Sequence, residues 1–118
     1  MATYGRQDPG EPYHRVSIQE AAEMHRQEVM VVDVRTQDEW VSGHIQGAVH
    51  IPVDNILAEA EEKLPRDQDL LFICAAGVRS GLACEMVSAL GFDDQRLYNI
   101  EDGTPAWIDE DLHTEYGP

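Results

Sequence analysis

Lysine is almost missing from this chain. Of eight basic residues only Lys63 is a lysine, and 23 acidic residues outweigh them to give a formal net charge of -15. A field of that sign repels phosphate backbones, and no basic run or aromatic-interleaved basic stripe offsets it, so nucleic-acid binding is excluded. The acidic surplus serves solubility, and it is also the kind of charge that high salt screens and makes tolerable. Long apolar runs are missing as well: none approaches the roughly 18 residues that cross a membrane. Residues Met1 to Pro12 lack the basic-then-apolar order of a secretory leader, which makes a cytoplasmic protein with no membrane partner the expectation. Cysteine is scarce. Cys74 and Cys84, ten positions apart, form neither a disulfide framework nor a C-x-x-C metal or redox pair, and a cytosolic thiol stays reduced. The five histidines, at 14, 25, 44, 50 and 113, show no ligand spacing with Cys or Asp, so neither a metal nor another cofactor is expected.

What is present is enough for one folded domain: 118 residues, 42% of them hydrophobic, with two Trp, four Tyr and two Phe. Residues 1–12 read as a tail or surface strap, 13–108 as the domain, and 109–118 as a loose acidic tail. Ser17 with Glu20, and Thr36 with Glu39, have the spacing of capping boxes that open helices. Val29 to Val34 is nearly continuous apolar sequence, the pattern of a parallel strand covered on both faces. A second strand is expected over Gly47 to Ile51. A helix capped by Asp54 or Asn55 then follows, with Ile56, Leu57, Ala60 and Leu64 on its apolar face and Pro65 at its end. Arg96 to Ile100 reads as the last strand, and Pro105 sits in the first turn of a short helix carrying Trp107 and Ile108. Strands alternating with helices imply βαβ units with right-handed crossovers, a parallel sheet with helices on both faces, and a site at the carboxyl ends of the strands.

That edge is where Cys74 falls. Leu70 to Ile73 is an apolar strand, and the central helix is expected from about Ser80 to Leu90, with Gly91 as its left-handed cap and Phe92 as the accompanying contact. Between them, Ala75, Ala76 and Gly77 carry little or no side chain, so the backbone can curl round the sulfur with its N–H groups inward. Val78, Arg79 and Ser80 complete the turn, adding a fixed positive charge and a hydroxyl at the helix start. Such surroundings favour an anion and lower a thiol's pKa, making it a nucleophile. They suit a thiolate, a persulfide or an oxyanion such as sulfite.

The run from Cys74 to Ser80 also resembles the C-x-x-G-x-R-S loop of rhodanese-like sulfurtransferases. Asp33-Val34-Arg35, Glu39-Trp40, Gly43-His44-Ile45, Gly47-Ala48 and Ile51-Pro52 are similar to that family's amino-terminal block, and Asn99 to Gly103 with Ala106-Trp107 to its carboxyl-terminal N-x-x-G-G-x-x-A-W. The resemblance spans about Arg15 to Ile108, with one departure: Asp102 stands where the first glycine of the pair is usual, which puts the turn geometry there in question. It implies a three-layer α/β sandwich around about five parallel strands. It further implies transfer of a sulfane sulfur from a donor such as thiosulfate to cyanide or a thiol, through a Cys74 persulfide cradled by Ala75, Ala76, Gly77, Val78, Arg79 and Ser80. A thiol or protein sulfur acceptor is the implied partner. The alternatives are a persulfide relay or a binding module of the same shape. Related phosphatases and arsenate reductases place five residues between cysteine and arginine; here four intervene, and the smaller ring favours sulfur.

Other residues read as structural. Asp33 and Arg35, just past a buried strand, read as an ion pair supporting the neighbouring loops. Arg79 binds the anionic sulfur donor or pairs with a carboxylate. His44 reads as a hydrogen-bonded core histidine and Cys84 as packing, with helix geometry pointing it away from Cys74.

Overall fold

A computed structural model describes residues 4–118; the first three residues of the expected tail lie outside the described residues. The elements in chain order are β1 (His14–Val16), α1 (Ile18–Arg26), β2 (Met30–Asp33), α2 (Gln37–Val41), β3 (His44–Ile45), β4 (Val49–His50), α3 (Ile56–Lys63), β5 (Leu70–Ile73), α4 (Val78–Ala89), β6 (Leu97–Ile100), α5 (Gly103–Asp109) and β7 (Thr114–Glu115). Five of the strands form one parallel sheet in the order β1-β6-β5-β2-β4. The expected parallel α/β sandwich is therefore what the chain forms.

Strand β5 is central because all four of its residues are apolar. Leu70, Leu71, Phe72 and Ile73 are each 0% exposed, and such burial contributes about 1.5–3 kcal/mol per side chain. Successive side chains point to opposite faces. Leu70 and Phe72 join Val32, Ile56, Ala60, Ala83 and Val87 beneath α3 and α4, whereas Leu71 and Ile73 join Val31, Ile18, Ala21, Met24 and Trp107 beneath α1 and α5. Register aligns Asp33 with both Ile73 and His50, so β2, β4 and β5 finish together, and Cys74 follows at that common edge.

Both capping boxes form, Ser17 with Glu20 on α1 and Thr36 with Glu39 on α2. At the far end of α4, Gly91 adopts φ 97°. Its N–H donates to Ser88 and that of Phe92 to Val87, closing the helix with a hydrophobic contact.

Several expectations change. A 3-10 turn over Val53–Asn55 runs into α3, so neither Asp54 nor Asn55 provides a side-chain cap. Leu57 faces solvent at 56% exposure, because it lies about 100° around the helix from Ile56, which shares the buried face with Ala60. Helix α4 starts at Val78, two residues ahead of Ser80, so the connection to β5 is only Cys74 to Gly77. The carboxyl-terminal residues are not loose: β7 pairs antiparallel with β3, Trp107 Nε1 donates to His113 O, and Gly117 N donates to Val41 O. Asp102 has ordinary right-handed dihedrals, with no need of glycine, and its carboxylate accepts from Ile18 N at 2.8 Å, satisfying an amide at the start of α1.

Candidate active site

Four residues carry the chain from β5 into α4, and the tightness of that turn decides the surroundings of Cys74. Gly77 takes φ +88°, and a Cβ there would lie 2.8 Å from Glu101 O, so this position needs glycine both for its dihedral and for the close approach. Gly103, at φ +79°, presses from the other side: a Cβ would sit 2.0 Å from Ala75 O. Thr104 completes the clamp, its N and Oγ1 donating to Cys74 O at 2.9 and 3.2 Å.

The sulfur of Cys74 is held inside this turn, the residue being 1% exposed. Gly77 N donates to Sγ at 3.1 Å and Ser80 Oγ approaches it at 3.3 Å. The N–H groups of Ser80 and Ala76 also face it, the former being one of the amides that the first turn of α4 leaves unpaired. Burial pushes the thiol's pKa up, but the Ser80 hydroxyl and the three backbone donors outweigh it, and the net shift is below the ordinary thiol value. Cys84, 0% exposed within α4, has no such donors, and burial pushes its thiol well up.

Asn99, on β6, orders the hydroxyl. Its Nδ2 donates to Gly77 O at 3.0 Å, which turns its Oδ1 toward Ser80 Oγ at 2.5 Å. Ser80 has one hydroxyl proton, so Asn99 and the sulfur compete for it.

The two arginines of the site are both paired. Arg35 donates to Asp33 through Nε at 3.0 Å and Nη2 at 2.7 Å, and Nη2 also reaches Gly43 O at 2.7 Å. With Asp33 at 0% and Arg35 at 5% exposure, this pair ties β2 to the loop before β3, as a supporting ion pair would. Arg79 meets Glu39 in a two-pronged contact, Nη1 to Oε1 at 2.7 Å and Nη2 to Oε2 at 2.8 Å. Val78 points away from the sulfur, 79% exposed. Two cavities flank the turn. One of about 410 Å³ is lined by Ala75, Arg35, Glu39 and Thr104, and one of about 460 Å³ by Ala76, Gly77, Val78 and Asn99.

Thus Ala76, Gly77 and Ser80 converge on Cys74, Ala75 lines a cavity beside it, and Val78 does not converge. His44 is buried, with Nδ1 2.7 Å from Trp40 O. Glu39, Asn99 and Thr104 belong to the site although the loop sequence alone does not name them. Glu39 and Asn99 do fall inside the other two sequence blocks, which is the signal that points to them.

The fold and this turn define a class that the comparisons with known proteins share. The family described as "Rhodanese-like domain" matches residues 17–110. The chain belongs to the rhodanese-like domain family. It is 37% identical to the putative sulfurtransferase YtwF of Bacillus subtilis over 71% of this chain and 78% of that protein. It is 29% identical to the thiosulfate sulfurtransferase GlpE of Shewanella oneidensis over 80% of this chain and 92% of that protein. A crystal structure of a rhodanese-related protein from Thermoplasma volcanium superposes with a TM-score of 0.74 at 31% identity, covering 87% of this chain and 98% of the other. Among the described residues, no helix is long and apolar enough to cross a membrane.

Proposed function

We propose that the protein is a sulfurtransferase in which Cys74 is the nucleophile and carries the transferred sulfur as a persulfide. One observation carries the reading: the Cys74 sulfur is met by Gly77 N–H at 3.1 Å and the Ser80 hydroxyl at 3.3 Å, inside a four-residue turn between β5 and α4. The names of the relatives, sulfurtransferases, support the same activity.

The thiolate attacks the outer sulfur of thiosulfate, the S–S bond of the donor breaks, and sulfite leaves with the bonding pair: Cys74–S⁻ + ⁻S–SO3⁻ → Cys74–S–S⁻ + SO3²⁻. Cyanide or a thiolate acceptor then takes the outer sulfur and returns Cys74 as thiolate. The fixed N–H groups stabilise the negative end of the persulfide without reorganising, which is how such donors accelerate a reaction. Asp33 and Arg35 support the turn from the neighbouring strand. A cytoplasmic setting, where the thiol stays reduced, suits this chemistry.

Incubation with thiosulfate followed by intact mass measurement tests it. A one-sulfur adduct is expected on the wild type and none on Cys74→Ala. Absence from the wild type, or survival in the variant, refutes the assignment. Turnover with cyanide then distinguishes an enzyme from a relay protein that loads but releases slowly.

A further inference from the structure

The inference concerns the charge of the sulfur donor, and it rests on Cys74 being the persulfide carrier. Glu39 is fixed on two sides. Thr36 N and Oγ1 each lie 3.0 Å from its Oε1, closing the α2 capping box, while Arg79 occupies both oxygens at 2.7 and 2.8 Å. Hydrogen bonds from Arg79, then those from Thr36, overcome burial and hold the Glu39 carboxyl at about 2. It is ionised at any working pH and has no freedom to swing away without undoing the cap.

Arg79 therefore brings no uncompensated positive charge to the turn, and Arg35 is cancelled by Asp33. What remains around the sulfur is a set of N–H and O–H donors already engaged with one negative charge. Arg15, on the wall of the second cavity, is held by Glu11 and Glu101, so a dianionic donor approaches this turn through the field of a chain of net charge -15 and meets no free cation among the described residues. A sulfane sulfur carried on a thiol has half the charge to desolvate.

We infer that Glu39 is a specificity-determining residue: by neutralising Arg79 it turns the site from oxyanion donors such as thiosulfate toward thiol-borne persulfides. The transfer balances as Cys74–S⁻ + R–S–S⁻ → Cys74–S–S⁻ + R–S⁻, the S–S bond of the donor breaking and the leaving thiolate keeping the pair.

Two stable probes with the same sulfur chemistry and different charge test this: thiosulfate, a dianion, and methanethiosulfonate, a monoanion that releases methanesulfinate. Steady-state rates with cyanide are compared for wild type, Glu39→Gln and Arg79→Gln, with thermal midpoints as a folding control. Glutamine keeps the capping box, which accepts Gln at that position. Removing one charge near a partly exposed site changes affinity by about threefold per charge on the ligand, so kcat/KM in Glu39→Gln rises about tenfold for thiosulfate, chiefly through KM, and about threefold for methanethiosulfonate. Arg79→Gln, which leaves Glu39 unpaired, moves both the other way, thiosulfate more. Equal factors for the two probes in either variant, or a fall for thiosulfate in Glu39→Gln, overturn the inference while leaving Cys74 loading intact. Failure of both probes to load wild-type Cys74 removes the underlying reading as well.

Discussion

Removing the Ser80 hydroxyl separates the electrostatics of the cradle from its shape. Ser80→Ala takes away a donor 3.3 Å from the Cys74 sulfur and leaves the backbone donors of Ala76, Gly77 and Ser80 in place. A hydrogen bond to a charged group contributes about 1.5–3 kcal/mol. Here the distance is long and Asn99 competes for the proton at 2.5 Å, which places the loss at the lower end, about 1.5 kcal/mol, or roughly tenfold. The thiol pKa of the variant should rise, and alkylation of Cys74 by iodoacetamide at neutral pH should slow about tenfold, since only the thiolate reacts. The assay is alkylation rate against pH, followed by intact mass; Cys84 lacks the donors that face Cys74 and burial pushes its thiol well up, so it does not compete as a thiolate. Asn99→Ala gives the opposite sign. It removes the competing acceptor, frees the Ser80 proton for the sulfur, and should raise the alkylation rate several-fold. In a Ser80→Ala background the rate gain from Asn99→Ala should then disappear, leaving only the change from losing the Asn99 Nδ2 bond to Gly77 O. An unchanged or faster rate in Ser80→Ala, or an undiminished rate gain from Asn99→Ala without the hydroxyl, refutes this account of the thiolate's stabilisation.

Other outcomes follow from the same geometry. Gly103→Ala forces a Cβ to within 2.0 Å of Ala75 O at φ +79°, and should cost at least about 2 kcal/mol in urea unfolding while abolishing persulfide loading. Cys84→Ala removes a buried thiol that packs against the α3–α4 core, so it should lower stability by about 1–2 kcal/mol and leave loading by thiosulfate at the wild-type level. Glu39 has a folded-state pKa of about 2 against an ordinary 4.5. Its stabilising contribution is therefore complete above pH 4.5 and is lost as pH falls toward 2. Unfolding free energies measured across that window should decline less steeply in Glu39→Gln than in the wild type; parallel curves would show that the Arg79 pair does not carry the shift.

The sequence by itself determined the βαβ order, both capping boxes, the burial of β5 and the placement of Cys74 at the end of that strand. These features depend on neighbours within a few positions: apolar runs, cap spacing, and small residues where the backbone must turn. The ion pair between Asp33 and Arg35 was legible for the same reason, since two residues of one strand end face each other. Tertiary structure decided the rest. Glu39 lies 40 positions from Arg79 and Asn99 lies 19 from Ser80, and no local pattern states which carboxylate closes on a guanidinium or which amide claims a hydroxyl proton. The ordering of the carboxyl-terminal strand on β3 and the capping of α1 by Asp102 have the same origin: a short polar segment gains its partner only when the sheet brings distant segments together. Local sequence makes a cysteine that can be a thiolate, and long-range packing sets the charge that thiolate faces.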